Sequence, residues 1–368
     1  MSLFGFSVRW APVAPVALVA LVASTGCSQQ QSAALLFGPG AESCGTCHEQ
    51  EYRAWSTSPH ATSGTSPVFE ALLVEVEDAW GAGARDACVD CHQPSHAGLA
   101  GEMGIGCVSC HAATGNTGER DGRLRVDWGL PLIGPTGQGS NGAHEIRTTG
   151  FLTSASLCGT CHEVTGPGLL DEPTLTEHRA TDFAEAGISC ATCHMPEGEH
   201  RFVGLDPPWG AGEEARQRAA IDARALFQNA VSLEVARLGD DAVITLTNVG
   251  AGHSVPTGAA FLRDVWVDVS FTDREGEGSA ERLMSFGAEM TLNGASVGLI
   301  TEADTVVSHS LAAGEARQAQ MRIPTGATSV TATLRLRAVR WQTLDALGLS
   351  SRRSEVPTID VETVVMEL

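Results

Sequence analysis

A chain of 368 residues with 43% hydrophobic and 18% charged side chains is long and apolar enough for two domains with separate cores, which excludes a disordered tail. Its 44 acidic residues against 23 basic ones give a net charge of −21. That balance excludes the basic face that nucleic acid requires and fits an acidic body that attracts cationic patches on partners.

The chain opens as an export signal. Residues 1–26 carry a single charge, Arg9, followed by the apolar run APVAPVALVALVAS. The run is shorter than the roughly 20 residues that span a bilayer. It closes on STGC, where Cys27 follows Ser24, Thr25 and Gly26, as in bacterial lipoprotein signals. Lipidation of Cys27 would then make it the mature N-terminus and the membrane anchor, with residues 27–40 as a polar tether. The alternative is an ordinary cleaved signal with an incidental cysteine. Either way the protein is expected outside the cytoplasm, in the periplasm or on an outer surface.

Residues 41–210 hold the other ten cysteines, all in C-x-x-C-H groups: Cys44-Cys47-His48, Cys88-Cys91-His92, Cys107-Cys110-His111, Cys158-Cys161-His162 and Cys190-Cys193-His194. Each pair of thiols can add to the two vinyl groups of one haem, and the histidine that follows places an imidazole beneath the iron. Zinc sites use two C-x-x-C pairs per ion and need no trailing histidine, and ten cysteines do not divide into fours. A thioredoxin-like pair comes singly, and a disulfide framework has no reason to repeat the histidine. The pattern therefore predicts five haem c groups, with His48, His92, His111, His162 and His194 as proximal ligands. Export agrees, because c-type haem is attached outside the cytoplasm.

What fills the sixth position of each iron separates electron transfer from catalysis. Seven histidines remain: His60, His96, His144, His178, His200, His253 and His309. His60 in WSTSPHA, His144 in NGAHEI and His200 in GEHRF lie in polar or turn-rich segments near the motifs. His96 falls one helical turn after His92. His178, in the helical-looking stretch TEHRATDFAEAG, and His309, among strand-like residues, read as ordinary surface histidines. Met103 reads as packing.

Beyond Pro208 the character changes. Residues 211–230 read as a connecting helix, with EEARQRAAIDARALFQNA rich in helix formers. Residues 231–368 carry β-branched or alternating runs: VSLEVARL, AVITLTNV, FLRDVWVDVSFTD, TATLRLRAVRW and ETVVMEL. They predict a β-sandwich without attached haem. Within it, GAGHSVPTG presents His253 on a tight turn, either to water or across the domain interface to a haem. The fold class expected is α+β multidomain: a helical, loop-rich multihaem domain with little regular sheet, then the sandwich.

The succession C-x-x-C-H, W-x-x-S-P-H-A, G-I-G-C-V-S-C-H, L-C-G-T-C-H and G-I-S-C-A-T-C-H-M-P resembles the multihaem cytochrome c554-type family across residues 41–205. The resemblance implies haems with two histidine ligands, stacked in close pairs, and a distal role for His60. Resembling sequences with a β-domain carry G-H-x-x-P-T-G, which implies a distal role for His253 as well. Relatives that act on nitrite or hydroxylamine need a lysine ligand or a tyrosine cross-link. This chain has no lysine and only Tyr52. The expectation is an electron carrier serving other redox proteins, cytochromes or oxidoreductases. The alternatives are a small nitrogen-compound oxidoreductase with one open haem, and a haem-bearing docking subunit of an oxidoreductase complex.

Overall fold

The structure, a computed structural model, describes residues 40–94, 104–127, 131–136 and 144–368. The expectations placed on Cys27, His96 and Met103 lie outside these residues. Up to Trp209 the described chain is short helices joined by loops: α1 (Glu42–Gly45), α2 (Glu49–Ser56), α3 (Pro67–Trp80), α4 (Ala82–His92), α5 (Cys107–His111), α6 (Ala155–Gly159), α7 (Thr174–Arg179), α8 (Asp182–Glu185) and α9 (Cys190–His194). The longest, α3, has clear punctuation. Ser66 caps it by accepting from the Phe69 amide, Pro67 sits in its first turn, and Gly81 at φ +84° ends it. Most of the others are one or two turns, too short to persist alone, so what they pack around must hold them.

Sheet in this region is limited to two-stranded ladders. β1 (Ala113–Asn116) pairs with β2 (Leu124–Val126), β3 (Leu132–Ile133) with β4 (Ile146–Arg147), and β5 (Val164–Thr165) with β6 (Asp171–Glu172). The stretch expected as one helix around His178 is two, α7 and α8, with Thr181 extended between them.

The connecting helix α10 spans Glu213–Ala230, and buries Ala223, Phe227 and Ala230 on one stripe. Gln228 fixes it by donating to the carbonyl of Val361 at 2.8 Å. Eleven strands follow: β7 (Val231–Leu238), β8 (Asp241–Asn248), β9 (Asp264–Asp273), β10 (Gly276–Glu277), β11 (Glu281–Phe286), β12 (Ala288–Leu292), β13 (Ala295–Ser296), β14 (Thr305–Ser308), β15 (Ala316–Arg322), β16 (Ser329–Arg337) and β17 (Ile359–Glu367). The central sheet runs β9-β16-β17, with β10 and β11 both pairing the outer edge of β9. A second sheet runs β15-β8-β7 and a third β13-β12-β14, and every pairing among these strands is antiparallel. Ile244 and Leu246 of β8, Val265, Val267 and Val269 of β9, and Leu334 and Leu336 of β16 meet in one buried core. They sit at alternate positions, as the strand period requires.

Two expected strand runs are corrected. The run from Phe261 enters β9 only at Asp264. The run through Arg337 stops before Trp341, which opens α11 (Trp341–Ala346). The other face of the central sheet is covered by Trp266, with the guanidinium groups of Arg282 and Arg337 at 4.2 and 5.1 Å from its ring centre.

The helical and sheet parts are joined by a second core. Val68 of α3 and Trp209 bury against Leu262, Val339, Leu344 and Val356. Beside it Arg263 holds Asp206 through two hydrogen bonds of 2.7 and 2.8 Å. Among the described residues no helix is long and apolar enough to cross a membrane.

Candidate functional site

Each C-x-x-C-H group closes one helical turn. α4, α5 and α9 end on His92, His111 and His194. Where the helix stops earlier, the turn still completes: the His48 amide donates to the Cys44 carbonyl at 2.8 Å, and that of His162 to Cys158 at 3.0 Å. Positions i, i+3 and i+4 share a helical face, so both sulfurs and the imidazole project to one side. That is the geometry a covalently attached haem needs.

Three of these histidines face a second imidazole. His48 faces His144, His111 faces His200, and His194 faces His253, each with ring centres 6.1 Å apart. The last two pairs are near parallel, at 24° and 20°. Rings in contact lie closer, as His92 does on Phe69 at 4.1 Å and 13°. A metal about 2 Å from one nitrogen of each ring would place the ring centres about 6 Å apart. The spacing therefore fits an iron between two imidazoles.

Hydrogen bonds at Nδ1 add to the fit. This atom lies 2.7 Å from the Ile133 carbonyl in His111, 2.6 Å from that of Val203 in His194, 2.8 Å from that of Ser254 in His253 and 3.1 Å from that of Ser63 in His92. A carbonyl can only accept, so Nδ1 carries the proton and Nε2 keeps its lone pair. Burial pushes the imidazoles of His92, His111, His200 and His253 below their ordinary value, which keeps them neutral.

The ring of His60 is half-buried, 4.3 Å from that of Phe202, and its buried Nδ1 has no hydrogen-bond partner. Burial first, then the charges of His162, His92 and His194, push it down to about 3. His162 is held at about 4, again mainly by burial. His162, His92 and His194 thus lie around His60, although no ring pair at iron-spanning distance forms here. His92 meets Phe69 instead, and among the described residues no histidine ring faces it at the spacing of the other pairs.

The remaining histidines separate clearly. His178 is buried, not a surface residue, because α7 packs beneath the loop of Gly252 and beside Phe183. It faces no motif histidine. His309 is exposed, 3.5 Å from Glu289.

Cys47 is disulfide-bonded; the other cysteine sulfurs stand in for the thioethers of the haem-loaded chain, and their positions order the motifs. The Cys91 thiol lies beside that of Cys161, and the Cys158 thiol beside that of Cys190. The fourth motif therefore lies between the second and the fifth. His48 and His144 both bear electrostatically on His111, which places the first pair beside the third motif. Among the described residues no three His, Cys, Asp or Glu side chains converge on one point, as a zinc site would require. Sequence reasoning missed Phe69 and Phe202, and nothing in their local sequence marks them.

Residues 43–112, the first three motifs, match the family model described as cytochrome c554 and c-prime. No curated protein matches the chain. The fold is similar to that of a penta-heme cytochrome c552 from Thermochromatium tepidum, with a TM-score of 0.68 over 90% of this chain and 100% of that one, at 18% identity. In its five C-x-x-C-H turns, in the family match over residues 43–112 and in its fold, the chain is similar to multihaem c-type cytochromes.

Proposed function

We propose that the chain carries electrons through five covalently bound haems, one on each C-x-x-C-H turn. Cys44, Cys47, Cys88, Cys91, Cys107, Cys110, Cys158, Cys161, Cys190 and Cys193 form the thioethers. The three imidazole pairs at 6.1 Å carry this reading. In this reading His144, His200 and His253, supported by those pairs, are distal ligands to the haems of His48, His111 and His194, and His60, which lies near His162, serves the haem of His162. When bound, each haem supplies a one-electron iron couple, and two histidine ligands close the iron to substrate. The chain's own part is to hold each Nε2 neutral and aimed, and to keep neighbouring motifs close enough for transfer. The similar fold of a penta-heme cytochrome supports the count of five.

The remaining features fit an exported carrier, lipidated at Cys27 and held to a membrane, that exchanges electrons with other cytochromes or oxidoreductases. The acidic surface suits docking to cationic patches. The two sheets that share one core support a β-sandwich whose loop closes over the haem of His194.

One observation favours a second reading. His92 stacks on the ring of Phe69, an apolar wall that suits a haem open to a small nitrogen compound. Haem counting by mass spectrometry with a ferric spin-state spectrum decides between the two. Five haems, all low-spin, support the carrier; one high-spin haem supports the enzyme. His253→Ala should make one haem high-spin and leave the others unchanged. An unaltered spectrum would remove His253 from the ligand set.

A further inference from the structure

The loop that presents His253 belongs to the β-part, yet it is fixed from the helical part, chiefly by one side chain. Glu177 of α7 accepts from the Ser254 amide at 3.0 Å, from the Ser254 hydroxyl at 2.6 Å and from the Thr257 hydroxyl at 3.2 Å. The hydroxyls of Thr174 and Thr257 add a contact of 2.8 Å. Ser254 is also the residue whose carbonyl receives the Nδ1 proton of His253. A continuous path of hydrogen bonds therefore runs from Glu177 through Ser254 to the ring of His253.

α7 is itself anchored on the fourth motif. The Leu175 amide donates to the His162 carbonyl at 3.3 Å, and Thr176 donates through its amide and hydroxyl to the carboxyl group of Glu163 at 2.9 and 2.6 Å. Arg179 closes the helix with two bonds of 2.8 Å to Glu119. The loop is thus tied to a helix that cannot shift without disturbing the residues around His162.

We infer that Glu177 is a positioning residue: it sets the reach and orientation of His253 toward the iron of the fifth motif, across the junction of the two parts. The inference rests on the reading of His253 as a distal ligand. Outer partners of metal-bound histidines change ligand affinity by about 10–100-fold when removed. Here the effect should fall on one haem only. A merely structural contact would lower stability without singling out an iron.

The test uses the full-length, haem-loaded protein and carbon monoxide as a probe of an open ferrous haem. His253→Ala should create one haem that binds carbon monoxide. Glu177→Ala should open the same haem part-way, raising its carbon monoxide binding rate by about 10–100-fold over wild type. Glu177→Gln, which keeps one acceptor oxygen, should give a smaller rise. Adding Glu177→Ala to His253→Ala should change nothing further at that haem. If Glu177→Ala yields no loaded protein, the pair Ser254→Ala with Thr257→Val removes the side-chain donors from the other end and should reproduce the rise. A rate at the wild-type value in whichever of these is loaded, while His253→Ala opens a haem, overturns the positioning role and leaves the ligand reading standing. A His253→Ala protein with no open haem overturns both.

Discussion

An imidazole binds iron only through an unprotonated nitrogen, and burial supplies that condition most strongly at His60 and His162. Their values fall from the ordinary 6.5 to about 3 and about 4. The sign of the pH dependence follows. Between the folded and unfolded values the unfolded chain takes up protons that the folded chain refuses, so stability falls as pH falls through that window. It is fully present above the unfolded value near 6.5 and lost progressively toward the depressed ones. A proton also competes with iron for the same lone pair, so ligation moves in the same direction. The low-spin spectrum should therefore hold constant from about pH 8 to about pH 6.5, with high-spin haem appearing only on acidification. Growth of a high-spin signal on raising the pH over that range would contradict the argument.

At the scale of elements, the W-x-x-S-P-H-A and G-I-G-C segments are two sides of one junction. Trp55 donates from its indole to the Ile105 carbonyl at 2.8 Å, and the Ile105 amide donates to the His60 carbonyl at 2.9 Å. Ser58 is buried at the turn, and its hydroxyl accepts from the Ala61 amide. Gly104 lies so close that an added Cβ would come 2.6 Å from the Ala61 carbonyl oxygen and nearer still to that of His60. Both obstacles are backbone, which yields poorly. Gly104→Ala should cost about 1–3 kcal/mol in denaturant unfolding and, with His60 ligating as proposed, shift the electron paramagnetic resonance signal of one haem. Wild-type stability with an unshifted signal would show that the segment moves aside at no cost. This junction also shows what could be read in advance. The five turns were legible because C-x-x-C-H spacing coincides with one helical face, and α10 because Ala, Arg and Glu dominate Glu213–Ala230. The ring pairs at 6.1 Å were only partly so, because His144 and His253 meet their motifs across long stretches of chain that sequence spacing does not order. The segment between β9 and β16 hid its strands. β15 reads ARQAQMR, with no β-branched residue, and is a strand because β8 offers it an edge. The burial of His178 was hidden in the same way, since TEHRATDFAEAG is polar and what covers His178 comes partly from the β-part.

For the whole molecule, the question is whether a helical part built around haem and a sheet part with its own core behave as two bodies or one. The sheet core is large and internal to the β-part, which by itself favours independent folding. The junction argues the other way. Trp209 is 7% exposed and packs with Val68 from α3 on one side and with Leu262, Val339, Leu344 and Val356 from the β-part on the other. The Asp206–Arg263 pair lies next to it, and the half-buried Arg263 donates to both Asp206 oxygens and to the Ala338 carbonyl. Glu177 adds the third tie. Removing one indole from such a site leaves a cavity that neither part can fill alone, so the loss is shared. Trp209→Ala should lower stability by about 3–5 kcal/mol. Haem absorbance and far-ultraviolet circular dichroism of the sheet should shift to lower denaturant together, by the same amount. If the haem transition moves and the sheet transition stays at its wild-type midpoint, the parts fold independently, and the His253 loop meets the His194 turn by docking after folding.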